Sequence, residues 1–254
     1  MIIGGGTIPA AIIQRIISLA GGPEARIVIF PHASEIPVEA AESTVSQFVT
    51  QGARHAEVYA CKAGAMDAEP CRRQLVQAGG IFFTGGDQNQ LTKALAGTQA
   101  FRRIQELYAG GSVIAGTSAG AAVMSRVMLT GEEHRQAGEP ESTPFASIRK
   151  GRVITAEGFG FVDRYVIDQH FVIRQRENRL LSVVLDHPEL IGVGIDESTG
   201  ILVAPDQSFE VVGDASVLVV DARLAREVKA DARQNYAARD ITVHLLTAGE
   251  HFTP

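Results

Sequence analysis

The sequence predicts an α/β fold: a mostly parallel sheet with helices on both faces and antiparallel edge strands added near the C-terminus. Three observations carry this. Short apolar runs alternate with amphipathic stretches as far as residue 195, and such alternation implies right-handed crossovers between parallel strands. From about residue 199 the pattern changes to brief strand-like pieces with Gly or Asp turns between them, which fits antiparallel strands at one sheet edge. The 254 residues, 45% hydrophobic and 20% charged, suffice for a sizeable core in one large domain or two small ones.

Taken in order, "AAIIQRIISLA" (10–20) carries apolar residues at helical spacing and leads into the strand "RIVIF" (26–30). The helix "VEAAESTVSQFVTQ" (38–51) precedes the strand "EVYA" (57–60), and "CRRQLVQA" (71–78) precedes "GIFFT" (80–84). The helix "AFRRIQELYA" (100–109) leads to the strand "SVIA" (112–115), after which "GTSAGA" and "AAVMSRVM" read as a tight turn opening a further helix. "FVIRQRENRLLSVVLDHP" (171–188) reads as one long helix before the strand "IGVGI" (191–195). "GILVA", "FEVVG" and "SVLVVDA" supply the terminal strands. The only long polar interruption, 130–150, either flanks a site or is a surface excursion.

Composition narrows the function classes. A formal net charge of -6 and a pI near 5.7 argue against general nucleic-acid binding, which needs a concentrated basic face. No apolar run reaches the roughly 18 residues of a membrane span, and the start "MIIGGGTIPA" has no basic segment leading into an apolar one, so the chain reads as cytoplasmic with no membrane partner. Cys61 and Cys71 lack metal-ligand spacing and read as packing or surface thiols rather than a disulfide framework or a zinc site.

In open α/β sheets, ligands bind beyond the carboxyl ends of the strands. Four segments end strands there: "FFTGGDQNQL" (82–91), "AGTSAGA" (115–121), "VIDQHF" (166–171) and "GIDEST" (194–199). The Gly-x-Ser-x-Gly turn puts Ser118 at a helix N-terminus, where the N–H of Ala119 and the helix dipole favour developing negative charge. Gly86 offers a second oxyanion donor, having no side chain to hold a carbonyl away. Taken alone, the turn could be purely structural.

A serine hydroxyl needs a base, and the base needs an orienting acceptor. His170, which follows an apolar strand-like stretch and is flanked by polar Asp168 and Gln169, is the candidate base; Glu197 is the candidate acceptor, with Asp196 its rival. His32, His55, His134, His187 and His251 lack comparable settings and read as solvated. The order Ser, His, acid differs from the Ser, acid, His of α/β-hydrolases and argues against that fold.

In their order and spacing, "FTGGDQNQL", "AGTSAGA", "IDQHFVIRQRENRLLSVV" and "GVGIDESTGILV" resemble cyanophycinases, serine peptidases of the group that includes dipeptidase E. The likeness continues in "LAGGPEARIVIFPHAS" and "FEVVGDASVLVVDA" and so covers most of the chain. It implies a flavodoxin-like fold related to class I glutamine amidotransferases, one peptidase domain over residues 1–254, and a homodimer. It also implies release of β-Asp-Arg dipeptides from cyanophycin, an aspartate backbone bearing arginine on its side chains. Position by position, Ser118 matches the nucleophile, His170 the base and Glu197 the third member. Gln88, Asp168, Gln169, Arg174, Arg176 and Arg179 match substrate-pocket positions.

The residues themselves give a parallel reason. Arg174, Arg176 and Arg179 read as lying in the first turns of a helix, where positive charge opposes the macrodipole at a cost of a few tenths of a kcal/mol each. They form either a solvated face paired with Glu177 or a guanidinium cluster that binds aspartyl carboxylates, with Asp168 facing the substrate's arginine. Such acyl transfer uses no metal or organic cofactor. Two departures from the family pattern, "GGGTIPA" near the first strand and "RQREN" in the arginine cluster, bear on substrate choice. They keep open an aspartyl or isoaspartyl dipeptidase. Two other classes are metal-dependent hydrolysis through Asp168, His170, Asp196 and Glu197 and a catalytically silent binding protein.

Overall fold

The computed structural model describes residues 1–135 and 144–254. Its elements begin with β1 (Ile2–Ile3), α1 (Ala10–Leu19), β2 (Arg26–Phe30), α2 (Pro37–Thr50), β3 (His55–Val58), α3 (Glu69–Gln74) and β4 (Gly80–Phe83). There follow α4 (Gln88–Leu95), α5 (Gln99–Ala109), β5 (Val113–Thr117), α6 (Ala119–Ala122), β6 (Val127–Glu133), β7 (Val153–Glu157) and β8 (Tyr165–Gln169). The last part comprises α7 (Glu177–Asp186), β9 (Ile191–Ile195), β10 (Thr199–Val203), β11 (Phe209–Gly213) and β12 (Val217–Asp221), then β13 (Arg226–Ala230), β14 (Tyr236–Arg239), β15 (Thr242–Leu246) and β16 (His251–Phe252).

The larger sheet runs β16-β11-β10-β1-β5-β4-β2-β3. Its β1, β5, β4, β2 and β3 are mutually parallel, while β10, β11 and β16 extend it antiparallel from β1. The central strands are apolar on both faces because both are covered. Ile27 and Ile29 of β2 pack with Ile12, Ile13, Ile16 and Ile17 of α1 and Phe48 of α2. Val28 and Phe30 point the other way, into a core shared with Leu91, Ile104 and the inner face of a second sheet. Each of those buried isoleucines contributes about 1.5–3 kcal/mol relative to exposure.

That second sheet, ordered β15-β12-β9-β8, is the main difference from expectation. The apolar runs at 165–169 and 191–195 do form a parallel pair, but the pair carries its own antiparallel neighbours, β12 and β15. Strands β10, β11 and β16 therefore extend one sheet and β12 and β15 the other, while β13 and β14 pair only with each other among the described residues. Helix α7 closes the outer face, with Leu180, Val183 and Val184 against Val166 and Val220.

Several local readings are corrected. After Ser118 the helix is a single turn, since Arg126 N–H donates to Val162 O (3.1 Å) and the chain enters the β6–β7 pairing at Val127. The segment 171–188 is helical only from Glu177, because His170 and Gln175 take positive φ of 47° and 53°, which an α-helix excludes. The polar stretch at 130–150 begins as strand, with β6 continuing to Glu133; its middle, 136–143, lies outside the described residues. Cys61 and Cys71 are joined as a disulfide across 10 positions, contrary to the thiol reading. His32, from the turn after β2, packs against the start of that loop: its Nε2 lies 2.6 Å from Cys61 O and its ring packs beside Tyr59. His32 is thus not solvated, and burial lowers its pKa.

Candidate active site

Two glycine-flanked ends and two sheets meet at the site. Residues 3 to 5, directly at the end of β1, offer three successive carbonyls to the three segments that matter. Ile3 O accepts from Ser118 N–H (3.0 Å), Gly4 O from His170 N–H (2.8 Å) and Gly5 O from Ser198 N–H (2.9 Å). A two-residue strand thereby fixes the turn after β5 in one sheet and the turns after β8 and β9 in the other.

Side-chain geometry follows from that anchoring. His170 Nδ1 lies 2.5 Å from Glu197 Oε1, and His170 Nε2 lies 2.8 Å from Ser118 Oγ. A carboxylate only accepts, so Nδ1 carries the proton and Nε2 is left with its lone pair toward the serine hydroxyl. Ser118 itself has φ 54° and ψ -112°, a sparsely populated conformation of the kind that clusters at reactive turns. The imidazole pKa is lowered, first by burial, with Arg174 and Arg176 adding to the shift and the Glu197 hydrogen bond opposing it. A neutral ring is the form able to take a proton.

Asp196, the rival carboxylate, faces elsewhere: its Oδ1 accepts from Ile173 N–H (3.3 Å) and holds the turn before α7. Among the described residues no group of three or more His, Cys, Asp or Glu side chains is arranged to hold a metal ion. The four-ligand reading fails on the same geometry, since Asp168 is turned to Arg179 and Asp196 to the backbone.

Of the expected oxyanion donors, Ala119 directly follows the serine and Gly86 lines the same cavity as Ser118. Ala119 is the first residue of α6 and fully buried, but this helix is one turn long and so offers little of the dipole expected at a longer helix N-terminus. Gly86 has φ +137°, and a Cβ there would fall 1.9 Å from Ala33 O. Close backbone contact therefore requires this glycine, in addition to any need for an open approach.

A cavity of about 340 Å³ opens over Ser118, lined also by Gly86, Gln88, Gln169, Arg174, Arg176 and Arg179. All the pocket positions carried over by resemblance lie along it except Asp168. That carboxylate is 0% exposed and paired with Arg179 through both Nε (2.7 Å) and Nη2. It is unavailable to a substrate guanidinium, which corrects the role expected for it. Arg176 is also engaged, donating from Nη1 to Gln169 O (2.6 Å) and Oε1 (2.8 Å), and burial lowers its pKa to about 10. Gln88 donates to Leu129 O (2.9 Å). Arg174, in the turn before α7, has an exposed guanidinium with no ion pair among the described residues. The three arginines are thus not equivalent: Arg179 is paired with Asp168, Arg176 is held by Gln169 with Asp168 3.9 Å away, and Arg174 has no ion pair among the described residues.

Sequence reasoning missed Gly5 and Gly6. A Cβ on Gly5 would meet His170 Cε1 at 2.2 Å, and one on Gly6 would meet Glu197 Oε2 at 2.9 Å. The signal was three consecutive glycines after a two-residue apolar strand, a pattern that marks close approach of backbone to another group.

A model of the family described as Peptidase family S51 matches residues 1–211. A protein named cyanophycinase from Geminocystis herdmanii is 34% identical over 246 residues, 95% of this chain and 87% of the relative. The protein of the same name from Trichormus variabilis is 33% identical over 250 residues, 95% of this chain and 79% of its own. A solved structure of a peptidase from an acI-B1 Actinobacterium superposes with a TM-score of 0.69 at 22% identity, covering 99% of this chain and 94% of that one. At that identity the likeness speaks to the fold.

Proposed function

Since this chain belongs to peptidase family S51 and is a serine-type peptidase, we propose that it hydrolyses cyanophycin to β-Asp-Arg dipeptides through an acyl-enzyme on Ser118. The relatives named cyanophycinase support the substrate. The observation that carries the mechanism is the hydrogen-bonded line from Ser118 Oγ through the His170 ring to Glu197, opening onto the cavity.

In this reading His170 Nε2 takes the Ser118 proton as Oγ attacks the carbonyl of an aspartyl peptide bond. The N–H groups of Ala119 and Gly86 receive the oxyanion, each such donor contributing on the order of 2.7–4 kcal/mol to transition-state stabilisation. His170 then protonates the departing amine, the peptide C–N bond breaks, and water repeats the attack on the ester with the same histidine as base. Glu197 keeps the ring in the required tautomer and stabilises its charged form. Gln88, Gln169, Arg174 and Arg176 orient the polar substrate, and Arg179 acts through Asp168 to hold the wall.

No helix among the described residues is long and apolar enough to cross a membrane. A homodimer acting in the cytoplasm belongs to the same proposal. The Cys61–Cys71 disulfide pulls against a strongly reducing compartment.

The test is mass-spectrometric detection of products from purified cyanophycin, with the parent protein, its Ser118→Ala variant and free β-Asp-Arg as a control substrate. The expected result is β-Asp-Arg from the parent, with loss of at least about 10³-fold in the variant. Cleavage of the free dipeptide alone would replace the reading with an isoaspartyl dipeptidase.

A further inference from the structure

A substrate unit that carries both a carboxylate and a guanidinium needs a partner for each, and the buried Asp168 cannot serve the second. The cavity wall offers two other carboxylates, Asp87 and Glu132. Asp87 is already used: its Oδ1 accepts from Asn89 N–H (2.8 Å) and caps α4. Glu132 has neither an ion pair nor a side-chain hydrogen bond among the described residues.

The backbone at Glu132 is, by contrast, tightly held. Gln88 Nε2 donates to Leu129 O (2.9 Å), Asn89 Nδ2 to Thr130 O (3.2 Å) and Thr130 Oγ1 to Ile154 O (2.8 Å). Glu132 N–H itself donates to Thr130 Oγ1 (3.2 Å). Between Leu129 and Glu133 the pairing with β7 also shifts: β6 takes four steps while β7 takes two, from Thr155 to Val153. A bulge of this kind re-aims side chains beside a site. Its effect is visible in the two consecutive glutamates. The Glu133 side chain is 5% exposed, with Oε2 2.7 Å from Arg152 Nε and Oε1 2.9 Å from Arg135 Nε. Glu132 is turned out to the cavity that also holds Arg174.

We propose that Glu132 is a specificity-determining residue whose carboxylate receives the guanidinium of the substrate's arginine side chain, while Arg174 receives a substrate carboxylate. This rests on the proposed cyanophycin hydrolysis and assigns the charge selection within it. An acidic and a basic group that line one cavity, neither with an ion pair among the described residues, select a zwitterionic ligand; a site with arginines alone would take any acidic peptide.

The experiment compares short β-Asp-Arg oligomers with oligomers in which citrulline, a neutral isostere, replaces arginine, using the parent and Glu132→Gln. The expected result is at least a tenfold higher KM of Glu132→Gln for the arginine oligomer, with kcat within about twofold. The parent should disfavour the citrulline oligomer by a similar factor, and Glu132→Gln should treat the two alike. Thermal melting of both proteins reports folding separately. An unchanged arginine-to-citrulline preference in Glu132→Gln overturns the assignment while leaving the proposed reaction intact. Absence of β-Asp-Arg release by the parent overturns the reaction and the assignment together.

Discussion

Gly5 lies so close against the His170 ring that a Cβ on it would sit 2.2 Å from Cε1, 2.4 Å from Nε2 and 2.8 Å from Nδ1. With φ at +118° the position also disfavours any L side chain. Gly5→Ala is expected to push the imidazole out of line with Ser118 Oγ and reduce kcat at least about 100-fold, the order of loss that follows a misplacement near 1 Å. Steady-state kinetics check it; retention of half the parent kcat would show that the ring is not held by this contact.

His170 sets an expected pH dependence. Burial disfavours the imidazolium, and Arg174 and Arg176 do so further, so the ring stays neutral to a lower pH than an unperturbed histidine near 6.5. The acid limb of kcat/KM should fall below that value. Because Arg174 lowers the pKa, Arg174→Ala should move the limb upward. A pH profile in which the variant's limb moves down would contradict the assigned sign.

Asp168 and Arg179 form a pair that is almost completely shielded from water, at 0% and 4% exposure. Removing one partner strands the other charge, at a cost of about 3–5 kcal/mol, or roughly 10 °C in Tm for a chain of this size. Asp168→Ala should therefore lose much of its stability. Asp168→Ala combined with Arg179→Met should recover part of it in denaturant unfolding. Additive losses in the double variant would argue that the two charges are not coupled.

The Cys61–Cys71 bond closes a loop of 10 positions between β3 and α3, for which chain entropy gives about 3 kcal/mol of stabilisation at most. Cys61→Ser with Cys71→Ser should lower the unfolding midpoint and leave the kcat on cyanophycin within about twofold, since neither residue lines the cavity over Ser118. Two reactive thiols in the unreduced, denatured parent would show that the bond does not form.

How much of this was legible follows from what each signal encodes. The apolar runs of β2, β4, β5 and β9 announced themselves because strands buried on both faces read as continuous β-branched sequence. The same property hid the two-sheet division: "IGVGI" reports burial on both faces and says nothing of which sheet buries it. The Ser118, His170 and Glu197 segments stood out because each places a reactive side chain just beyond an apolar strand. The start of α7 was misplaced because nothing local announces a positive φ at His170 or Gln175. Asp168 was given to the substrate because a sequence cannot show that Arg179, eleven positions on, turns back onto it. Glu132 was passed over for a related reason, the β6 bulge being a property of pairing with β7 rather than of "TGEE" itself.

The division of labour between the sheets bears on when the protein can act. Ser118 follows β5 of the larger sheet, whereas His170 and Glu197 follow β8 and β9 of the smaller one, and the carbonyls of residues 3 to 5 bind the backbone of all three turns. Chains emerging from a ribosome fold from the N-terminal side first. A nascent chain that has exposed everything up to α5 and the Ser118 turn still has a serine with no base, and it remains inert until the smaller sheet docks. The order of the two sheets along the chain thus ties hydrolytic competence to the last stage of folding.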